Sequence, residues 1–184
     1  MSSQSMRNKD RSLERAKILI LGLDSAGKTT LSKYLRLGEY DDSTIPTIGQ
    51  NINTFKVDDW MITAVDVAGQ KNFRFLWEAH YQGSSAIIFV IDSADFERLP
   101  EAKEILRTHV FNNPILEKVP VLILANKQDL PGAIDAPLLI QLLGLHRQFL
   151  DRTFAVFDCS ILYGKGIVES FLWLVDELEM KKNN

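Results

Sequence analysis

The segment from Lys17 to Leu37 constrains this chain more than any other. Lys17 leads into the apolar run Ile18-Leu19-Ile20-Leu21, which reads as a buried strand ending at Gly22. Gly22-Leu23-Asp24-Ser25-Ala26-Gly27-Lys28-Thr29 follows, and an amphipathic stretch from Thr29 to Leu37, with Gly38 near its end, reads as a helix. This is the full G-x-x-x-x-G-K-[ST] pattern in its strand–loop–helix setting. Gly22 and Gly27 allow a tight backbone turn. The amides of Asp24, Ser25, Ala26, Gly27, Lys28 and Thr29 can then converge on a β-phosphate, aided by the positive end of the helix. Lys28 is expected to reach β- and γ-phosphate oxygens, the Thr29 hydroxyl to ligate Mg²⁺, and Thr30 to complete the nucleotide-binding turn. Alone, the motif does not choose ATP over GTP, or a kinase over a hydrolase.

Downstream, apolar runs alternate with helical patterns, as in βα units. Ile52–Val57 and Met61–Asp66 read as two strands joined by a turn at Asp58-Asp59. Ala86–Ile91 and Val121–Ala125 are near-continuous apolar runs, as parallel strands covered on both faces require. A helix is expected from about Pro100 to His109, another from Pro137 to Leu143 closed by Gly144, and a last strand over Phe154–Phe157. Ile167, Phe171, Leu174, Val175 and Leu178 form the apolar stripe of a final helix. The expected fold is α/β: a six-stranded, mostly parallel sheet with one antiparallel edge strand and helices on both faces.

The chain has 184 residues and a net charge of −3, which fits one domain and excludes a broad electrostatic clamp for nucleic acid. Its one cysteine, Cys159, excludes an internal disulfide and fits a reducing, cytoplasmic setting. No run approaches the length of a membrane span. The charge is uneven: residues 1–17 carry +3 and the rest −6. Residues 1–16 therefore read as a flexible basic arm, 17–180 as the domain and 181–184 as a tail. Ser2 stands where N-myristoylation needs glycine, and the arm lacks apolar residues at helical spacing, so at most peripheral membrane association is expected.

The strand ending at Ala125 runs into Asn126-Lys127-Gln128-Asp129. The Asp129 carboxylate can accept from both N1–H and the N2 amino group of guanine, a donor pair adenine lacks. The Lys127 stem can pack over the base, Asn126 can tie the pocket to neighbouring loops, and Cys159-Ser160 can offer a backbone amide to the guanine O6. Open α/β sheets bind ligands at this strand-end edge. Asp66 ends its strand before Val67-Ala68-Gly69-Gln70. There Asp66 can hold Mg²⁺ through a water, the Gly69 amide can sense a γ-phosphate, and Gln70 can orient water for in-line attack. Thr47, after Pro46, is the candidate second hydroxyl ligand to Mg²⁺. Such loops would be ordered by GTP and released by GDP.

GLDSAGKTT (22–30), PTIG (46–49), DVAGQ (66–70), Arg74, Trp77, VIDSAD (90–95), NKQDLPGA (126–133) and the Cys159 segment together resemble the Arf and Arf-like small GTPases. The resemblance covers roughly residues 17 to 180. It implies a Ras-like fold, a GTP/GDP switch with slow Mg²⁺-dependent hydrolysis, GTP-state effectors, an exchange factor, a GTPase-activating protein, and work in membrane traffic, cilia or the cytoskeleton. It also implies a hairpin, Ile52 to Asp66, that slides in register between nucleotide states, coupled to release of an N-terminal amphipathic helix.

The departures are specific. Ser2 and a polar arm stand where the family has glycine and an apolar helix. Ala68 stands where a second glycine is usual. Gln50, Val65 and His80 fall at the family's exposed aromatic triad, which predicts poor binding of standard Arf effectors. Arg74 reads as structural, and no arginine is clearly placed as a cis arginine finger. Two other readings remain: a nucleotide-dependent binding module with negligible hydrolysis, and a P-loop phosphotransferase, disfavoured by Asp129 and by the lack of a long substrate lid.

Overall fold

The computed structural model describes residues 13–37, 49–57, 59–145 and 151–183. Thr47, the PTIG loop before Gly49, and arm residues 1–12 lie outside the described residues. Six strands form one sheet: β1 (Glu14–Leu21), β2 (Gln50–Val57), β3 (Trp60–Val67), β4 (Ala86–Asp92), β5 (Val121–Asn126) and β6 (Phe154–Asp158). Their order is β2-β3-β1-β4-β5-β6. The β2–β3 pair is antiparallel and every other pair is parallel. This is the expected architecture.

Alternate residues of the central strands feed two separate cores. Leu19, Leu21, Ile87, Phe89, Val121 and Ile123 face one side of the sheet. There they meet α2 (Phe75–Tyr81), α3 (Leu99–Ile105) and α4 (Ala136–Leu143). Ile18, Ile20, Ile88, Val90, Leu122 and Leu124 face the other side. These meet α1 (Lys28–Leu37) and α5 (Ile167–Lys182). A strand covered on both faces needs no polar alternation, which is why these runs are apolar throughout. All five stripe residues of α5 are buried.

Several elements differ from expectation. β1 begins at Glu14, because Glu14, Arg15 and Ala16 find ladder partners in Trp60, Met61 and Ile62. Residues 14–16 are therefore strand rather than arm. α5 runs through Lys182, whose ammonium bonds Glu14 at 2.7 Å, while Glu179 accepts from the Trp60 indole at 3.0 Å. The helix thus closes over the hairpin tip instead of ending in a tail at 181. α2 has no counterpart in the sequence reading, although Trp77 and Tyr81, one helical turn apart, are its buried face. α3 continues as a π-helical turn over Leu106–Phe111. Asp135 caps α4 by accepting from the Leu138 amide at 3.0 Å, and Gly144 closes it in the left-handed conformation.

Phe89→Ala, at the centre of β4 and fully buried, should lower the unfolding free energy by about 3–5 kcal/mol in urea titration. Phe96→Ala, at 53% exposure, should stay within about 0.5 kcal/mol.

Candidate functional site: the carboxyl edge of the sheet

The candidate residues converge because five parallel strands, β3, β1, β4, β5 and β6, end at one edge. β1 lies between β3 and β4, so the chain departs from it in two directions and leaves a crevice at the strand ends. The loop 22–29 leaves β1 there. Asp66 lies near the end of β3, Asp92 ends β4, Asn126 ends β5 and Cys159 follows β6.

Inside the loop, Lys28 is buried and its Nζ donates to the Leu23 carbonyl at 2.8 Å. Burial pulls its pKa down to about 8, against the opposing pull of Asp66 and Asp24. Ser25 is held at φ +62°, a left-handed conformation uncommon for a residue with a side chain. Gly27 sits at φ +107°, and a Cβ there would overlap the Asn126 amide nitrogen. Thr30 follows in the first turn of α1.

Thr29 Oγ1 donates to Asp66 Oδ2 at 2.7 Å, and Asp66 is fully buried. Among the described residues no three His, Cys, Asp or Glu side chains gather round a common point. A hydroxyl beside one buried carboxylate is a hard-oxygen donor set that suits Mg²⁺, an ion that keeps several waters and takes other oxygens from phosphate. Gly69 packs against this mouth: a Cβ on it would lie 2.5 Å from Lys28 Nζ and 2.6 Å from the Asp24 amide. Only a glycine brings backbone this close to the loop.

The segment behind Gly69 is pinned. The Ala68 amide donates to Gly49 O at 2.9 Å, and the Ala68 carbonyl accepts from the Trp77 indole at 3.0 Å. Arg74 Nε donates to the Gly69 carbonyl at 3.0 Å, and its Nη2 pairs with Glu101 at 2.7 Å. Arg74 thus sets backbone position. Ala68 is buried and its methyl is accommodated. Gln70 is exposed at the start of a 3-10 turn over Lys71–Phe73.

On the far side, Asn126 is buried and joins two loops. Its Nδ2 donates to Ala26 O at 2.8 Å, and its Oδ1 accepts from the Ile161 amide at 3.1 Å. Lys127, at φ +69°, reaches Asp92 Oδ2 at 2.5 Å. Asp92, to which no motif gives a role, thereby joins this edge. Its signal was the strand register, which sets Asp92 opposite Asn126. Asp129 accepts from Ser160 Oγ at 2.5 Å.

The Cys159 and Ser160 amides donate to Ala125 O at 3.0 Å and Lys165 O at 3.1 Å. One expectation is corrected. Val65 does not lie on an exposed surface: it is 3% exposed and packs with Leu19, Trp77 and Tyr81. Of the three triad positions, Gln50 is exposed and His80 partly so.

Cys159 is buried, and burial raises its thiol pKa to about 12, helped by Asp158 and Asp129. The thiolate is the reactive form. Alkylation by iodoacetamide at about pH 8 should therefore be negligible on the folded chain and complete within minutes in denaturant, read by intact mass.

Residues 2–178 match the model of the ADP-ribosylation factor family. ADP-ribosylation factor J of Dictyostelium discoideum is 40% identical over 168 residues, spanning 91% of this chain and 88% of that protein. ADP-ribosylation factor 3 of Arabidopsis thaliana is 39% identical over 166 residues, spanning 90% of each. Among solved structures, the Arl6 BBS3 small GTPase of Trypanosoma brucei with a bound nucleotide analogue, GppNp, superposes with a TM-score of 0.83 at 32% identity. That match covers 90% of this chain and 98% of the other. The P-loop, the paired Thr29 and Asp66, and the Asn126 brace stand within a fold and sequence shared at this level, and the chain belongs to the ADP-ribosylation factor family of GTP-binding, GTP-hydrolysing switches.

Proposed function

We propose that the strand-end residues described above carry the GTP cycle of this chain. Lys28 and the amides of Asp24 to Thr29 hold the phosphates, with Thr30 in the same turn. Thr29 and, through a water, Asp66 hold Mg²⁺, which would neutralise charge on the β- and γ-oxygens. Thr47 is the second hydroxyl ligand. The Gly69 amide reports the γ-phosphate, and Gln70 orients the attacking water. Asn126, Lys127 and Asp129 select guanine, with Cys159 and Ser160 forming the floor and rim of that pocket. The observation that carries this reading is the approach of Gly69 to Lys28 and the Asp24 amide. That proximity supports a γ-phosphate-sensing role for the Gly69 amide.

Each role is a matter of position rather than of covalent chemistry, as phosphoryl transfer requires. The resting rate is slow, as the family resemblance implies. A GTPase-activating protein then supplies the missing positive charge, an exchange factor empties the site, and effectors bind the GTP state. Among the described residues no helix is long and apolar enough to cross a membrane. The proposed setting is cytoplasmic, with peripheral association on an endomembrane and a role in membrane, ciliary or cytoskeletal traffic.

Single-turnover hydrolysis of GTP should fall by about a hundredfold in Gln70→Leu, the scale of a lost proton-transfer or water-orienting group. GTP affinity should be unchanged. Equal slow rates in both proteins would favour the binding-module reading, with Gln70 outside the mechanism. The altered surface positions give a second outcome: a standard Arf effector should show weak GTP-dependent binding in calorimetry, and tight binding would reject this consequence of Gln50 and His80.

A further inference from the structure

Arg98 stands just before α3, and neither the motifs nor the family match gives it a role. Its Nε donates to Asp95 Oδ2 at 2.6 Å, and its own amide donates to Asp95 Oδ1 at 3.2 Å. The side chain is thereby aimed at the phosphate loop. Its Nη1 reaches the Asp24 carbonyl at 3.3 Å and the Asp24 carboxylate at 3.4 Å. Asp24 is a loop residue whose amide lies against Gly69, and its negative charge also acts on the Lys28 ammonium. Left alone, that carboxylate would repel incoming phosphate and compete for Lys28, the cation the phosphates need.

We propose that Arg98 is a positioning residue for nucleotide binding: it draws the Asp24 carboxylate aside and neutralises it, leaving Lys28 and the loop amides to the phosphates. The inference rests on the GTP-binding reading of the loop. It concerns charge, not merely packing. The side chains of Arg98 and Asp24 are 34% and 48% exposed, so the contact itself stabilises the fold little. Its effect appears when two or more further negative charges arrive beside Asp24. The partner of Arg98 on its own element, Asp95, orients the guanidinium. Asp92, the other nearby carboxylate, is committed to Lys127.

The test is dissociation of a fluorescent GDP analogue from the Mg²⁺-loaded full-length protein, followed by stopped flow. Arg98→Gln, close in shape but neutral, should release it about fivefold faster than wild type, and less so as salt rises from about 20 mM to about 0.5 M. Arg98→Lys should stay within about twofold of wild type, since it keeps the charge. Combining Arg98→Gln with Asp24→Asn should return the rate to that of Asp24→Asn alone, because the charge to be neutralised is gone. Urea unfolding of each variant in saturating nucleotide separates this from a folding defect. Failure of the wild type to bind the analogue would overturn the reading of the loop. A wild type that binds, with Arg98→Gln releasing at the same rate, would overturn only the role of Arg98. So would a double variant as fast as Arg98→Gln, a salt-independent effect, or Arg98→Lys as defective as Arg98→Gln.

Discussion

The Asn126 carboxamide is the interaction on which the site depends. One amide group spans two loops, giving its NH₂ to the Ala26 carbonyl and taking the Ile161 amide on its oxygen. Those loops belong to β1 and β6, which are not neighbours in the sheet; β4 and β5 lie between them. Asn126 sits at the end of β5, beside β6 and separated from β1 by β4. Because it is buried, both its polar atoms must be satisfied, so the carboxamide can rest only where both loops are in place. The absence of a side chain at Gly27 is the counterpart, since a Cβ would occupy the space of the amide nitrogen. The glycine therefore serves the brace across the sheet as well as the turn.

A second constraint acts on the opposite flank. The backbone of Ala68 and Gly69 is fixed by three bonds, to Gly49, Trp77 and Arg74. The two donors among them, Trp77 and Arg74, belong to or adjoin α2, and Arg74 is itself tethered to Glu101 on α3. Gly69 reaches the phosphate loop from a platform anchored in the helical layer. Ala68 is buried, with its amide and its carbonyl both bonded. The substitution for glycine thus leaves the path to the loop intact.

The sheet and its two-faced core were legible because burial on both sides imposes a simple pattern, continuous apolar runs between helical ones. The clustering of the loop, Asp66 and Asn126 was legible because parallel strands deliver their ends to one edge. What escaped was set by contacts between distant residues. Glu14 to Ala16 are polar or small, and only pairing with Trp60 to Ile62 makes them strand. The Ser160 and Cys159 amides make loop bonds that no local pattern announces. Val65 follows period two in β3, but which face is covered depends on α2, an element whose brevity hid it. Asp92 needed the β4–β5 register to be seen beside Lys127.

The electrostatics of the edge explain how a chain of net charge −3 belongs to a family that binds polyphosphate. The site is not a basic patch. Lys127 pairs with Asp92, Arg98 with Asp95 and Asp24, and Lys28 lies under the influence of Asp66 and Asp24. Attraction for any anion at long range is therefore weak. In the proposed cycle, affinity comes from backbone amides fixed at the start of α1 and from one desolvated lysine, whose charge is worth more where water is excluded. Desolvation pulls the Lys28 pKa down to about 8, so the ammonium is held at a cost that a phosphate oxygen would relieve. A site that binds in this way would discriminate by shape and hydrogen bonding rather than by collecting anions, as a basic patch does.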